Sequence, residues 1–178
     1  MNKSEQRDMI RKRLKGLSIF EKSVYSAIIS QKLFDLIEAY KPAMVMSYMA
    51  LENEVNLNRL HFLLNRKGIK LCFPKVEEDE IKAYMSYRFV KGSFNILEPD
   101  NGVLIKKEDI DIIVVPCVGF DRNKNRLGHG KGYYDKYLQD FTGKKFTPAF
   151  EVQKLKRIEV TENDVKINRI LTEGGVYS

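Results

Sequence analysis

The sequence predicts a layered α/β fold, Rossmann-like, in which helices flank a mostly parallel sheet. Short apolar runs of strand length alternate along the chain with longer segments of helical periodicity. One run, residues 110–115, is apolar apart from Asp111, as expected of a strand at the centre of a parallel sheet. The 178 residues suffice for one domain with a substantial core, so a single domain is expected over residues 1–178.

Two helices are expected before the first strand. Residues 4–15 form a short basic helix that ends at Gly16. Residues 18–21 match a capping box, which begins a second helix that runs to Ala39 or Tyr40. Ile10 and Leu14 are expected on one side of the first helix, and Val24, Ile28, Leu33, Leu36 and Ile37 near one face of the second.

The rest of the chain predicts mainly strands. Residues 81–89 alternate between apolar and polar side chains, which indicates a strand with one wet face. Residues 77–80 are expected to form a solvated acidic turn, and residues 92–102 a loop. The other expected strands cover residues 43–49, 69–73 (ended by Pro74), 146–150 and 170–172, and helices cover residues 56–67 and 133–138.

The composition is that of a globular cytoplasmic protein without a membrane partner. The chain is 43% hydrophobic and 31% charged, which excludes a disordered chain. No apolar run approaches the ~18 residues that span a bilayer, and the charged first residues do not form a secretory signal. Cys72 and Cys117 lie in apolar runs, so we expect reduced, buried thiols rather than a disulfide or a metal site.

The net charge of +7 favours acidic partners such as nucleotides, polyglutamates or RNA. Residues 1–22 contribute much of this charge, with seven basic and three acidic residues. The alternative interpretation of this basic segment is a solvated helix face that binds no partner. Residues 11–15 contain no aromatic side chain among the basic ones, unlike proteins that stack single-stranded bases. No nucleic-acid partner is therefore expected.

Residues 126–135, with the sequence RLGHGKGYYD, carry the most chemical information. They follow an apolar run and precede a helical segment, and a strand, a glycine loop and a helix in this order can hold phosphate groups on backbone N–H groups. Lys131 would place an ammonium, and Arg126 a planar guanidinium, against phosphate oxygens. Asp135 could hold a cation that bridges phosphates.

The glycine loop matches neither of two familiar phosphate-binding motifs. Lys131 is followed by Gly132 rather than by the hydroxyl residue of a Walker A loop, and Tyr133 occupies the place of the third glycine of a dinucleotide fingerprint. On shape alone, an ordinary turn between a strand and a helix is the alternative. Residues 52–54 and 74–75 follow other strands and would face the same cleft, although Glu54 could equally be a solvated loop acid.

Two motifs carry a resemblance to a known family. The chain reads Pro-x-x-x-Phe-Asp from Pro116 to Asp121, and Arg-Leu-Gly-x-Gly-x-Gly-Tyr-Tyr-Asp from Arg126 to Asp135. In these motifs it resembles the 5-formyltetrahydrofolate cyclo-ligase (methenyltetrahydrofolate synthetase) family. Further features follow in the family's order over nearly the whole chain, namely Lys3 and Arg7, Glu54, Pro74, Gly92, Ile96-Leu97-Glu98-Pro99 and Thr172-Glu173.

The resemblance implies an ATP- and magnesium-dependent enzyme that closes the ring of 5-formyltetrahydrofolate, with a single or a polyglutamylated tail, to 5,10-methenyltetrahydrofolate. ADP and phosphate are released, and the implied intermediate is a phosphorylated formyl group, an iminium phosphate. Mg²⁺ is the implied cofactor and ATP the co-substrate, and we expect a monomer. Two competing functions are a non-catalytic RNA- or nucleotide-binding protein and a kinase or ligase that acts on another small acid.

The same resemblance assigns the site residue by residue. Arg126, Lys131 and Tyr133 are the implied catalytic residues, and Asp135 and Asp164 the implied metal ligands. The implied ATP contacts are Lys3, Arg7, Arg126, Leu127, Gly128, His129, Gly130, Lys131, Gly132, Tyr133 and Tyr134. The implied folate contacts are Met49, Glu54, His129, Gly130, Lys131, Gly132 and Tyr133.

The chain departs from the family's pattern in two places, and one pair of residues has two interpretations. Many members have Asp where this chain has Asn168, which puts the assignment of Asp164 to the metal in question. His129 is Arg or Tyr in many relatives, so it is either a contact or a variable loop side chain. Tyr133 and Tyr134 either stack on the pterin or belong to the core of the following helix.

Overall fold

The computed structural model describes residues 1–92 and 95–178. Within these ranges the helices are α1 (Lys3–Leu14), α2 (Ile19–Ala39), α3 (Asn58–Arg66) and α4 (Tyr133–Leu138). The strands are β1 (Met44–Met46), β2 (Lys70–Glu77), β3 (Glu80–Lys91), β4 (Leu97–Ile105), β5 (Ile112–Val114), β6 (Gly119–Phe120), β7 (Arg126–Leu127), β8 (Lys144–Pro148), β9 (Arg169–Thr172) and β10 (Gly175–Tyr177).

One eight-stranded sheet organises the described chain, in the order β10-β9-β8-β5-β1-β2-β3-β4. Strands β9, β8, β5, β1 and β2 run parallel, while β10 at one edge and β3 and β4 at the other are antiparallel additions. Counted along the chain, the parallel strands have the order 2-1-3-4-5, so the strand order reverses between β1 and β5. The predicted α/β fold with a mostly parallel sheet is confirmed, and this reversal is where such sheets bind ligands.

Two apolar layers cover the two faces of the sheet. On one face Val45 and Ile112 pack with residues of α1, α2 and α3 such as Ile10, Leu33 and Leu60. On the other face the side chains of alternate strand residues pack with α4 and with the segment that precedes β9, as Met46, Ile113, Leu138 and Ile167 do. Because strand side chains alternate between faces, three-residue strands such as β1 contribute to both layers. Among the described residues no helix is long and apolar enough to cross a membrane.

The capping box predicted for α2 is confirmed, but its buried face is only partly the predicted one. Ser18 accepts a hydrogen bond from the Glu21 N–H at 3.1 Å, and the Glu21 carboxylate accepts one from the Ser18 N–H at 2.8 Å. Val24 and Ile28 are 39% and 40% exposed whereas Leu33 and Ile37 are buried, so the prediction that these residues share one face was wrong. The helix turns Ser26 and Ser30 inward instead, because their hydroxyls pair with the backbone of Asn56. The predicted residues Ile10, Leu14, Leu33 and Ile37 are buried, and Leu36 is partly buried.

The strands predicted at residues 69–73 and 81–89 are present, but three details of this region were wrong. Strand β2 continues through Pro74, because its pairing with β1 ends at Cys72 and no partner there needs an N–H from the proline. The alternation predicted for residues 81–89 fails at Tyr87, which is 96% exposed, because the β3–β4 register shifts between Met85 and Arg88. The loop predicted at residues 92–102 contains the start of β4, although residues 93–94 lie outside the described chain.

Candidate active site

A cavity of about 520 Å³ lies at the carboxyl ends of β1 and β5, where the strand order reverses. Its apolar lining comes from the ends of β1 and β5 and from β2–β4, through residues such as Met49, Pro74 and Pro116. Its charged lining comes from α1, from β7 and the glycine loop, from α4, and from Glu54 and Asp164 in two other loops. The site thus combines an apolar surface with a charged one.

The cavity brings together every predicted site residue except Leu127. The Leu127 side chain is fully buried in the core beneath the hairpin β6–β7, where Leu127 pairs with Gly119, so it supports the glycine loop from below. That hairpin separates β5 from the glycine loop, which therefore does not follow the central strand directly as the sequence had indicated.

Each glycine of the loop is required for a different physical reason. Gly130 and Gly132 have φ of +105° and +74°, in the left-handed region that favours glycine. A Cβ on Gly130 would also lie 3.3 Å from the guanidinium carbon of Arg7. A Cβ on Gly128, whose φ is ordinary, would lie 2.9 Å from Arg126 Nη1. The loop is therefore packed against two guanidinium groups.

The two arginines have protein partners. Arg7 Nε donates to the Gly128 carbonyl at 2.7 Å. Arg126 donates from Nη1 to the Pro116 carbonyl at 3.2 Å, and its Nη2 lies 3.0 Å from Asp135 Oδ1. The Arg126 side chain is only 4% exposed, and its Nε is buried without a partner among the described residues. The guanidinium predicted to fork onto phosphate is thus largely engaged in holding the loop and Asp135.

The two acidic residues predicted to bind metal are linked to each other and to cations. Asp135 Oδ1 also accepts a hydrogen bond from the N–H of Val165 at 3.2 Å, and Val165 is the residue that follows Asp164. Asp164 accepts from Lys3 Nζ at 2.6 Å and from the Thr161 N–H at 2.7 Å. Partial burial opposes ionisation, but the hydrogen bonds from Lys3 and Thr161 outweigh it and hold the pKa of Asp164 below its usual value.

These carboxylates fit a metal that is shared with a ligand. No group of three or more metal-binding side chains occurs among residues 1–92 and 95–178. Mg²⁺ commonly takes one or two protein carboxylates and completes its shell with phosphate oxygens and water, which Asp135 and Asp164 could allow. Asn168 does not line the cavity; its side chain accepts the Lys145 N–H at 2.8 Å, at the start of β8.

Glu54 is a cavity residue rather than a solvated loop acid. Its side chain is 9% exposed, and Oε2 accepts the Leu51 N–H at 2.9 Å. Oε1 lies 3.0 Å from His129 Nε2, so the glycine loop and the loop after β1 are joined by this contact. His129 itself is 49% exposed.

Tyr133 and Tyr134 lie between the cavity and the core. Both rings line the cavity and both pack against the core layer that contains Leu138. Tyr133 and Ile81 also line a second cavity of about 540 Å³, so they form part of the wall between the two.

Comparisons with known proteins decide the family. The family model described as the 5-formyltetrahydrofolate cyclo-ligase family matches residues 1–173. This chain belongs to the 5-formyltetrahydrofolate cyclo-ligase family. The predicted family and enzyme class, a ligase, are confirmed.

Relatives of known structure and sequence resemble the chain over nearly its whole length. A 5,10-methenyltetrahydrofolate synthetase from Aquifex aeolicus is 36% identical, with a TM-score of 0.86 over 99% of this chain and 92% of that one. A 5,10-methenyltetrahydrofolate synthetase from Mycoplasma pneumoniae is 28% identical, with a TM-score of 0.81 over 97% of this chain and 99% of that one. The mouse 5-formyltetrahydrofolate cyclo-ligase is 28% identical over 92% of this chain and 90% of its own.

The structure explains one family motif and adds one residue that the sequence analysis missed. Asp121, of the Pro-x-x-x-Phe-Asp motif, is fully buried and accepts N–H groups of Asn123, Asn125 and Ile158, so it shapes the turn of the β6–β7 hairpin. An Asp before two Asn residues is a signal for such a turn. Tyr48 lines the cavity and is 4% exposed, but no sequence signal separates it from a core residue of a strand.

Proposed function

We propose that this protein catalyses the ATP- and Mg²⁺-dependent ring closure of 5-formyltetrahydrofolate to 5,10-methenyltetrahydrofolate, with release of ADP and phosphate. The observation that carries the proposal is that the family's glycine loop and an apolar wall line the same cavity. A nucleotide's phosphates suit the first surface and a reduced pterin ring the second. Membership of the family supports the same chemistry.

The glycine loop is the part of the site proposed to hold the triphosphate. Gly128, Gly130 and Gly132 leave the backbone open to close approach by an anion, and the Arg7 and Arg126 contacts keep the loop in place beforehand. Lys131, on the exposed side of the loop and lining the cavity, would place its ammonium against the phosphates with Lys3. Asp135 and Asp164 would hold Mg²⁺, which when bound supplies positive charge against phosphate oxygens.

Phosphoryl transfer explains why a ring closure needs ATP. The formyl oxygen is a poor leaving group, so its attack on the γ-phosphorus, with departure of ADP, gives an iminium phosphate. The neighbouring anilino nitrogen, N10, then attacks the formyl carbon and loses its proton, and breakage of the carbon–oxygen bond releases phosphate. Lys131 would stabilise the charge on the transferring phosphoryl group, Arg126 would hold the loop and Asp135 in place, and Tyr133 would help to fix the reacting group.

The folate is proposed to occupy the surface formed by Met49, Glu54 and Tyr133, next to residues 129–132 of the loop. The glutamate tail, single or extended, suits the basic charge of the chain. Three basic residues of α1 have a place in the structure: Lys3 and Arg7 line the cavity, and Arg13 donates to the Lys154 carbonyl at 2.8 Å. This supports small-molecule partners over RNA, for a chain that we infer to act as a monomer.

The cysteines support a reducing setting. Cys72 and Cys117 are buried and unbridged, and burial raises the pKa of each thiol to about 12, so neither is a ready nucleophile or metal ligand. We infer a cytoplasmic location on this ground.

A coupled ATPase assay with and without 5-formyltetrahydrofolate tests the proposal. ADP release should depend on the folate and should match the appearance of methenyl absorbance one for one. Folate-independent hydrolysis, or ADP release driven by another small carboxylic acid without methenyl absorbance, would overturn it. The second result would favour the kinase or ligase alternative.

A further inference from the structure

Tyr48 places a buried hydroxyl against the cavity without a protein partner. It follows β1 at the point where the strand order reverses, and only 4% of the residue is exposed. Its hydroxyl has no hydrogen-bond partner in residues 1–92 and 95–178. The oxygen is nevertheless accessible, unlike the three unpartnered polar atoms that are fully enclosed in this part of the chain. Since it lines the cavity, the hydroxyl opens onto the ligand space. Buried polar groups are almost always hydrogen-bonded, so a ligand atom is the natural partner.

The backbone that carries Tyr48 is fixed at the preceding residue, Ser47. The N–H of Ser47 donates to the Cys72 carbonyl at 2.9 Å, which extends the pairing of β1 with β2. The Ser47 hydroxyl lies 2.7 Å from His61 Nε2, and both residues are buried. Burial lowers the pKa of His61 to about 4, so this contact involves a neutral imidazole at physiological pH. The Tyr48 ring is therefore held by the sheet rather than by a mobile loop.

Tyr48 is a donor, and Glu54 is an acceptor beside it. Burial, and then the charge of the nearby Glu54 carboxylate, raise the pKa of Tyr48 well above its ordinary value, so the phenol stays protonated. Glu54 is bound through Oε2 to the Leu51 N–H and lies against His129 through Oε1, but each carboxylate oxygen can accept a second bond. A fixed donor and a fixed acceptor in one pocket match a ligand edge with one acceptor and one donor.

We propose that Tyr48 and Glu54 together recognise the cyclic amide edge of the pteridine ring, with the Tyr48 hydroxyl donating to the ring carbonyl oxygen and Glu54 accepting from the adjacent ring N–H. This assignment rests on the proposed function. It makes Tyr48 a specificity-determining residue, because a 4-amino-4-deoxy analogue presents an amine donor in place of the carbonyl. Two donors then face each other, and a buried donor left unpaired is penalised.

Tyr48→Phe removes the hydroxyl alone and keeps the ring. The full-length wild type and variant are compared for kcat and KM with 5-formyltetrahydrofolate, and for the inhibition constant of its 4-amino-4-deoxy analogue. Tyr84→Phe is the control, since that phenol donates to Glu77 outside the cavity. Loss of one buried hydrogen bond should raise KM roughly tenfold in Tyr48→Phe, with kcat and the KM for ATP little changed.

The discrimination between the two compounds is the decisive readout. The ratio of the analogue's inhibition constant to the KM of the substrate should fall roughly tenfold in Tyr48→Phe and stay constant in Tyr84→Phe. An unchanged KM and an unchanged ratio would overturn the assignment, and so would an equal loss of affinity for both compounds. A fall in kcat at a constant ratio would also overturn it, because it would place the hydroxyl on the reacting formyl group. A wild type without folate-dependent ATP turnover would instead remove the proposed function itself.

Discussion

Lys3 Nζ donates to Asp164 Oδ2 at 2.6 Å, which joins the first turn of α1 to a loop 161 residues later in the chain. Asp164 is followed by Val165, whose N–H binds Asp135, and Asp135 in turn meets Arg126. Arg7, one turn after Lys3, binds the carbonyl of Gly128. The charged side of the cavity is thus enclosed by a ring of contacts that includes both candidate metal ligands.

Replacement of Lys3 by Met should make the free energy of unfolding depend less on pH in the acid range. Because the pKa of Asp164 is lowered in the folded state, the ion pair contributes to stability at neutral pH, and this contribution is lost as the pH falls below the ordinary Asp value of 3.8. The pair is partly exposed, so the free energy of unfolding at pH 7 should drop by under ~1 kcal/mol. Urea unfolding at pH 7 and pH 3 measures this; the same penalty at both pH values would contradict it.

Lys131→Ala should lower turnover on the order of 100-fold, because an ammonium against the transferring phosphoryl group is lost. Methenyl absorbance measures the rate, and an unchanged far-ultraviolet spectrum shows that the fold is intact. Lys136→Ala is the matched control, since Lys136 pairs with Glu80 outside the main cavity. Equal rates for the wild type and Lys131→Ala would exclude Lys131 as the phosphate contact.

Glu54→Gln should weaken the use of folate far more than the binding of ATP. The change keeps the shape of the side chain but removes the charge of a carboxylate that lines the cavity, so we expect KM for the folate to rise roughly tenfold or more. Glu52→Gln, two residues earlier and exposed, is the control. Loss of ATP and folate affinity by the same factor would show that Glu54 supports the cavity in general.

The three loop glycines should respond differently to alanine. Gly132 has positive φ but no protein atom near its Cβ position, so Gly132→Ala should cost about 1 kcal/mol of stability and lower nucleotide affinity least of the three, because it displaces neither arginine. Gly128→Ala and Gly130→Ala would strike Arg126 and Arg7 and should displace the loop, with a marked loss of nucleotide affinity. Gly175→Ala, in open space without positive φ, serves as the control. Calorimetric titration with an ATP analogue separates these outcomes, and equal affinities for all four variants would contradict them.

The sequence could reveal the chemistry of the site because that chemistry depends on local order. Residues 126–135 are contiguous, and strand ends in a parallel sheet meet at one edge, so the glycine loop, Glu54 and Pro74 were expected together and line one cavity. The N-terminal contacts Lys3 and Arg7 were placed by the resemblance, since no local pattern shows that α1 reaches the glycine loop.

The remaining features depend on tertiary contacts that leave no periodic signal. The apolar residues of α2 occur around much of its circumference, so only the Asn56 contacts decide that Ser26 and Ser30 face inward. Arg126 was predicted to bind phosphate because no local pattern shows that its guanidinium contacts the Pro116 carbonyl and the Asp135 carboxylate. Tyr48 is indistinguishable from a core residue until the cavity is known.

The location of the triphosphate tests the account most directly. A crystal structure with a non-hydrolysable ATP analogue, Mg²⁺ and 5-formyltetrahydrofolate should show phosphate oxygens within hydrogen-bonding distance of the backbone N–H groups of residues 130–132 and of the Lys131 ammonium. The pterin should lie against Met49 with its amide edge on Tyr48 and Glu54. A nucleotide bound elsewhere, with the glycine loop in contact with neither ligand, would contradict the proposed function.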